Sequence, residues 1–195
     1  MTPREAWNAL EEGNKRFVEG KVAAPNRDEQ RRAELVEGQK PFACVLACSD
    51  SRVPVELIFD QGIGDIFVIR TAGEVVDMGV LASLEFAVDG LGVDVVVVLG
   101  HESCGAVAAT KAALEGNGIP DGYQRVLVED IAPSLFASRD DGKTTSKDYE
   151  ERHVKETVHQ ILTRCVRIRE ASDAGRCVVV GARYELQTGA VNRLV

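Results

Sequence analysis

The sequence predicts an α/β protein with a central, mostly parallel β-sheet of four to five strands flanked by helices. Four short apolar runs, rich in Val and Ile and without polar alternation, occupy residues 42–47, 66–69, 93–99 and 177–180. Such runs are typical of strands that are buried on both faces. Helical patterns separate the runs, and the resulting order βαβαβαβ favours parallel strands covered by helices.

The chain length favours a single domain. The chain has 195 residues, 45% of them hydrophobic, and it contains no internal repeat and no clear linker. This is enough to build one sizeable core, so residues 1–195 are expected to fold as one domain.

Two helices are predicted before the first strand. Residues 5–18 carry a thin apolar face, including Leu10 and Phe17, among many charges, and a second charged helix is predicted over residues 27–37. Because neither face is wide enough for a well-buried helix, we expect these N-terminal helices to pack on a partner subunit.

Three further helices and one long loop complete the prediction. Helical patterns cover residues 76–91, 105–115 and 148–171. The polar, turn-rich segment 116–148 is expected to be a loop with one short helix.

The charge balance excludes several classes of partner. The chain has 23 Lys and Arg against 31 Asp and Glu, a net charge of −8, so it lacks the positive field that nucleic acids require. The start "MTPREAWNALEEGNKRF" is too charged for a signal peptide, and no apolar run reaches the length of about 18 residues that suits a membrane span. We therefore predict a cytoplasmic protein, whose five cysteines are reduced thiols or metal ligands rather than disulfides.

Thiols and an imidazole follow two of the predicted strands. Cys48 lies at the end of the first strand in "VLACSDSRVP", and His101 and Cys104 follow the third strand in "LGHESCGAV". Parallel strands end at the same edge of a sheet, where ligands bind in α/β proteins. Two thiolates and one imidazole favour zinc, and three protein ligands leave the fourth position open, as in catalytic zinc sites.

The motifs "CSDSRVP", "VIRTAG" and "GHESCGA" resemble those of β-class carbonic anhydrases, in the manner of actinobacterial members. The resemblance extends over nearly the whole chain, including "AWNALEEGNKRFVEG", "GQKP" and "GARYELQTGAV". It implies reversible hydration of carbon dioxide to bicarbonate and a proton, on one Zn²⁺ per chain held by Cys48, His101 and Cys104. It also implies a homodimer as the minimum unit, with tetramers common and the substrate pocket at the subunit interface.

The resemblance also assigns roles to residues around the zinc ligands. Asp50 and Arg52 match the acid–base pair that orients zinc-bound hydroxide, and Asp50 matches a residue that takes the fourth zinc position in a closed state of some members. The residues that match the lining of the carbon dioxide pocket are Gln39, Phe67, Phe86 and Gly105. Phe86 replaces a tyrosine of some relatives, and Val45 replaces the tryptophan of an inhibitory bicarbonate pocket.

Simpler interpretations apply to the remaining candidates. Without the neighbouring zinc set, Asp50 and Arg52 would be interpreted as a structural ion pair. Cys44, Cys165 and Cys177 are expected to fill the core. His153 and His159 lie six residues apart, about 240° around a helix, so they cannot share a metal and are expected on the surface.

Three other functions remain open from the sequence. The same zinc scaffold could hydrolyse carbon disulfide or carbonyl sulfide. A non-catalytic, zinc-stabilised regulatory protein would keep the Cys₂His set with its fourth position filled. A thiol enzyme would use Cys48 as nucleophile and Arg52 to bind an anion.

Overall fold

The computed structural model describes all residues, 1–195, and contains five strands and eight helices. The strands are β1 (Ala43–Cys48), β2 (Ile66–Thr71), β3 (Val95–His101), β4 (Val178–Tyr184) and β5 (Val191–Arg193). The helices are α1 (Pro3–Val18), α2 (Glu29–Glu34), α3 (Val55–Ile58), α4 (Met78–Glu85), α5 (Gly105–Leu114), α6 (Arg125–Asp140), α7 (Ser146–Arg164) and α8 (Val166–Asp173). A 3₁₀ turn, Ala72–Glu74, follows β2, and a π-helical turn, Phe86–Gly90, extends α4.

The strands form one sheet in the order β2-β1-β3-β4-β5. The first four are parallel, and the short β5 pairs antiparallel with β4. Every residue of β1 and β3 is buried, as expected for strands without polar alternation. The predicted class, a mostly parallel sheet of four to five strands flanked by helices, is confirmed. None of the helices is both long and apolar enough to cross a membrane.

Each face of the sheet is covered by its own hydrophobic cluster. On one face, Val45 and Val97 pack with Trp7 and Leu10 of α1. On the other face, alternate residues of the same strands pack against α4, α7 and α8. The expected core roles of the three cysteines are confirmed, because all three are buried: Cys44, Cys165 and Cys177.

The N-terminal helices differ from the expectation that both pack on a partner. The apolar face of α1 is buried against the chain's own sheet, with Leu10 fully inaccessible. Trp7 joins Leu10 to widen a face that seemed thin, so this face of α1 packs on the chain itself, and contact of α1 with a partner stays a prediction. By contrast, α2 buries no residue, so its packing on a partner stays a prediction.

The segment 116–148, predicted as a loop with one short helix, contains the 16-residue helix α6. Its buried residues include Val128, Ile131 and Leu135, whose spacing forms one helical face against α5 and α7. Pro133 lies inside the helix and, with the polar flanks, conceals this pattern. The predicted helix 148–171 is likewise divided, because Cys165 has extended dihedral angles between α7 and α8.

Candidate metal centre

The ends of β1 and β3 bring the three predicted ligands together. These strands are parallel neighbours, so Cys48 and His101, at their carboxyl ends, reach the same edge of the sheet. Cys104 follows as the N-cap residue of α5. The three ligand atoms lie within 4.8 Å of one another, and all three residues are buried.

Hydrogen bonds fix the direction of the imidazole. His101 Nδ1 lies 2.8 Å from the carbonyl oxygen of Glu102, which can only accept, so Nδ1 carries the proton. The lone pair is therefore on Nε2, which is buried and has no hydrogen-bond partner. An orphaned buried acceptor directed at two thiols fits a soft divalent cation, and zinc is the natural ion for this donor set.

The two thiols at the site affect each other's ionisation. The neighbouring Cys104 thiol and the Gly73 N–H outweigh burial and lower the pKa of Cys48 to about 4. The neighbouring Cys48 thiol and burial raise the pKa of Cys104. A cation bound here would hold both sulfurs as thiolates and displace the remaining proton.

Asp50 and Arg52 form a bidentate pair beside these ligands. Arg52 Nε donates to Asp50 Oδ1 at 2.9 Å, and its terminal nitrogen donates to Oδ2 at 2.8 Å. These bonds hold the pKa of Asp50 well below its usual range, so the carboxylate is ionised at neutral pH. Asp50 Oδ2 lies 3.9 Å from His101 Nε2, at the side of the site that the metal ligands leave free.

The loop between His101 and Cys104 is held from two sides. Ser103 adopts φ 56°, its N–H donates to Glu150 at 2.8 Å, and its carbonyl accepts from Arg52 at 3.3 Å. Glu150 is paired in turn with Arg183 at 2.8 Å, and both side chains are buried. Arg183 lies within the quoted motif "GARYELQTGAV", but Glu150 on α7 belongs to no motif, so the sequence alone does not indicate that the two residues pair.

Arg70 and Glu74 also escaped the sequence analysis. Arg70 donates to the carbonyl oxygens of Cys48 and Asp50 and so fixes the backbone that carries them. Glu74 is buried with one carboxyl oxygen unpartnered, and burial, together with the charge of Cys48, raises its pKa to about 8. Arg70 lies within the quoted motif "VIRTAG", which was the only available signal.

A cavity of about 350 Å³ opens beside one of the ligands, Cys48. Its lining includes Asp50, Gly105 and apolar atoms of Ala72, Ala106 and Leu127. Gly105, one of the predicted pocket residues, lines this cavity, and its role toward substrate stays a prediction. The other three predicted pocket residues do not line this cavity: Gln39, Phe67 and Phe86.

Phe67 and Phe86 instead pack on each other at the surface. Their ring centroids are 6.0 Å apart, and 52% of Phe86 is exposed. Gln39 is exposed as well. A substrate role for these three residues stays a prediction.

The fold and the site together define an α/β protein with three candidate metal ligands, a neighbouring carboxylate–guanidinium pair and an open cavity. The family described as carbonic anhydrase matches residues 43–191 of the chain. Carbonic anhydrase 2 of Mycobacterium tuberculosis is 49% identical over 187 residues, which cover 96% of this chain and 90% of that protein. A carbonic anhydrase of Mycolicibacterium smegmatis is 47% identical over 97% of this chain and 92% of its own length.

Solved structures agree on the fold. A tetrameric β-carbonic anhydrase of Sordaria macrospora superposes with a TM-score of 0.76 over 97% of both chains at 23% identity. The Coccomyxa β-carbonic anhydrase, solved with acetazolamide, has a TM-score of 0.73 over 94% of this chain and 83% of its own, at 25% identity. This chain belongs to the carbonic anhydrase family, as a member of its β class. The predicted family and enzyme activity are confirmed.

Proposed function

We propose that the chain hydrates carbon dioxide reversibly to bicarbonate and a proton, with one zinc ion held by Cys48, His101 and Cys104. The observation that carries this proposal is the position of Asp50 Oδ2, 3.9 Å from the free nitrogen of His101 and bound to Arg52 on its other side. Bound at these ligands, zinc would supply an activated water molecule near neutral pH.

Asp50 and Arg52 would control the proton of that water. An ionised Asp50 accepts a hydrogen bond and so orients an oxygen lone pair toward the substrate carbon. Arg52 holds the carboxylate in place by two hydrogen bonds and keeps it ionised. The apolar atoms of the adjoining cavity suit a nonpolar gas molecule.

We test this division of roles with Arg52→Ala. The three metal ligands are untouched, so the variant should retain one zinc per chain while its hydration rate in stopped-flow assays falls about 100-fold or more. Near-parental turnover in a zinc-replete variant would reduce the pair to a structural contact. Arg125→Ala is a matched control, because it removes an exposed Arg–Glu pair on α6.

Substrate assays on the parent protein address the alternative functions. Carbon disulfide and carbonyl sulfide should be poor substrates relative to carbon dioxide when all three are assayed with the parent protein. Sulfide release faster than hydration would favour the hydrolase. One bound zinc with no turnover of any of the three would favour a regulatory protein.

A second copy of the chain completes the pocket in this proposal. Gln39, Phe67 and Phe86 lie off the chain's own cavity, and the exposed Phe67–Phe86 pair is available to face the cavity of a neighbour. The minimum unit would be a homodimer. Tetramers would extend the same assembly, and the Sordaria macrospora β-carbonic anhydrases are tetrameric.

Asp50 is also placed to close the site. Its carboxylate lies close enough to His101 Nε2 to reach a shared metal after a small rotation away from Arg52. In this proposal, low pH favours closure, because carboxylate then competes with scarce hydroxide for one position. Zinc X-ray absorption spectra should therefore show Asp50 as the fourth ligand at about pH 7 and water in its place above about pH 8. Identical spectra at the two pH values would contradict closure.

We also propose a cytoplasmic location. All five cysteines are free, and the two at the metal site must remain reduced to bind zinc. Fractionation of cells that express the untagged protein would test the proposal, and recovery outside the cytoplasm would contradict it.

A further inference from the structure

Helix α7 contributes no metal ligand, yet it presents two buried polar side chains to the segments that carry ligands. Glu150 and His153 lie three residues apart and therefore on the same helix face. Glu150 holds the loop between His101 and Cys104 through Ser103. His153, which was expected on the surface, is only 2% exposed and contacts Gly73, in the turn that follows β2.

The contacts of His153 form one directed chain. Its Nε2 lies 2.7 Å from the carbonyl oxygen of Gly73, which only accepts, so Nε2 carries the proton. Nδ1 must then accept, and the hydroxyl of Ser134 donates to it at 3.0 Å. Burial lowers the pKa of His153, so the ring is neutral in this arrangement.

Gly73 transmits this contact to the metal site. Its N–H donates to Cys48 Sγ at 3.3 Å. The residue adopts φ 65°, and a Cβ there would lie 2.8 Å from Cβ of Ala106 and 2.9 Å from Cδ1 of Ile131. The turn is therefore wedged between α5 and α6, and the imidazole of His153 fixes its remaining polar group.

We propose that His153 is a positioning residue for the metal centre, which holds Gly73 so that its N–H orients the Sγ of Cys48 toward the other two ligands. The inference rests on the proposed zinc function and adds a residue from α7 to it. Without the imidazole, the Gly73 carbonyl would be buried and unpaired, and the turn would rotate to satisfy it. Outer-shell partners of this kind typically change metal affinity by about 10- to 100-fold.

The test compares His153→Phe, which has no donor, with His153→Gln, which retains an N–H. Thr157→Val, a nearly isosteric change one turn further along the buried face of α7, controls for helix packing. The readouts are zinc affinity by competition with a chelator and the thiolate-to-metal charge-transfer absorption after cobalt substitution. The melting temperature of each metal-free protein measures the purely structural effect.

We expect His153→Phe to bind zinc about 10- to 100-fold more weakly with an altered cobalt spectrum, and His153→Gln to recover most of both. Parental zinc affinity and an unchanged cobalt spectrum in His153→Phe would overturn the proposal, whatever the melting temperature. If that variant does not fold, Ser134→Ala should shift the cobalt spectrum in the same direction, and a parental spectrum would overturn the proposal. The inference concerns the ratio of zinc affinities between variant and parent. Zinc binding by the parent in the same assays tests the proposed function separately.

Discussion

At the scale of single residues, the candidate metal centre combines groups held in their ionised form with a buried carboxyl group held neutral. Asp50 and Cys48 are stabilised in their ionised forms by Arg52 and by neighbouring donors, respectively. Glu74 is the opposite case, because it is fully buried, lacks an ion-pair partner and has its pKa raised to about 8. The backbone of Glu74 also lies in the left-handed region, with φ 42°.

Glu74 therefore predicts a pH-dependent stability. Between its unfolded pKa of about 4.3 and the folded value, only the folded state holds the proton, so the free energy of unfolding falls with rising pH. The slope is at most about 1.4 kcal/mol per pH unit. Glu74→Gln cannot titrate, so the metal-free variant should gain stability relative to the metal-free parent between about pH 5 and pH 8.

Denaturant unfolding of both metal-free proteins measures this difference. The interaction of Glu74 with the Cys48 charge exists only in the parent, so it forms part of the measured difference. A difference in unfolding free energy that stays constant over the range would contradict a raised pKa for Glu74.

At the scale of elements, the sequence predicted the strands and helices whose apolar residues follow a regular spacing. The strands β1 and β3 are continuous apolar runs, and the three metal ligands follow directly at or after their ends. Helix α6 was missed because Pro133 and polar flanks hide its apolar spacing. His153 and Glu150 were missed because an isolated polar residue shows its burial only when its partners, distant in sequence, pack around it.

The packing of α1 on the chain's own sheet predicts a loss of stability when its buried face is truncated. Leu10 is fully buried against the chain's own sheet, so Leu10→Ala should lower the free energy of unfolding by about 2–5 kcal/mol. The oligomeric mass, measured by light scattering, should stay unchanged. Val36→Ala, at a residue that is 77% exposed, is the control and should change stability by less than about 0.5 kcal/mol. Dissociation of Leu10→Ala without loss of stability would instead place α1 on a partner.

At the scale of the whole molecule, the three candidate metal ligands and the proposed pocket residues lie in different parts of one chain. The ligands lie at the carboxyl edge of β1 and β3, whereas Phe67 lies within β2 and packs on the exposed Phe86. One chain alone does not bring both sets to one cavity. Subunit complementation tests whether two copies do.

The test mixes two inactive variants, Cys104→Ser and the double variant Phe67→Ala/Phe86→Ala. In a mixed dimer, the metal ligands of the double variant would meet the intact aromatic residues of the other copy and form one complete site. We therefore expect co-refolded mixtures to regain a fraction of the parental hydration rate that neither variant shows alone. No recovery in demonstrated mixed dimers would show that the pocket does not cross the interface.

The central claim is that carbon dioxide is hydrated at a zinc ion held by Cys48, His101 and Cys104. The most direct measurement is the stopped-flow hydration rate of metal-free protein during stepwise addition of zinc. The rate should rise linearly and stop at one equivalent per chain, and Cys104→Ser should show neither tight binding nor the rise, because serine is a poor zinc ligand. Hydration that is independent of added zinc, or one tightly bound zinc per chain without hydration, would contradict the account.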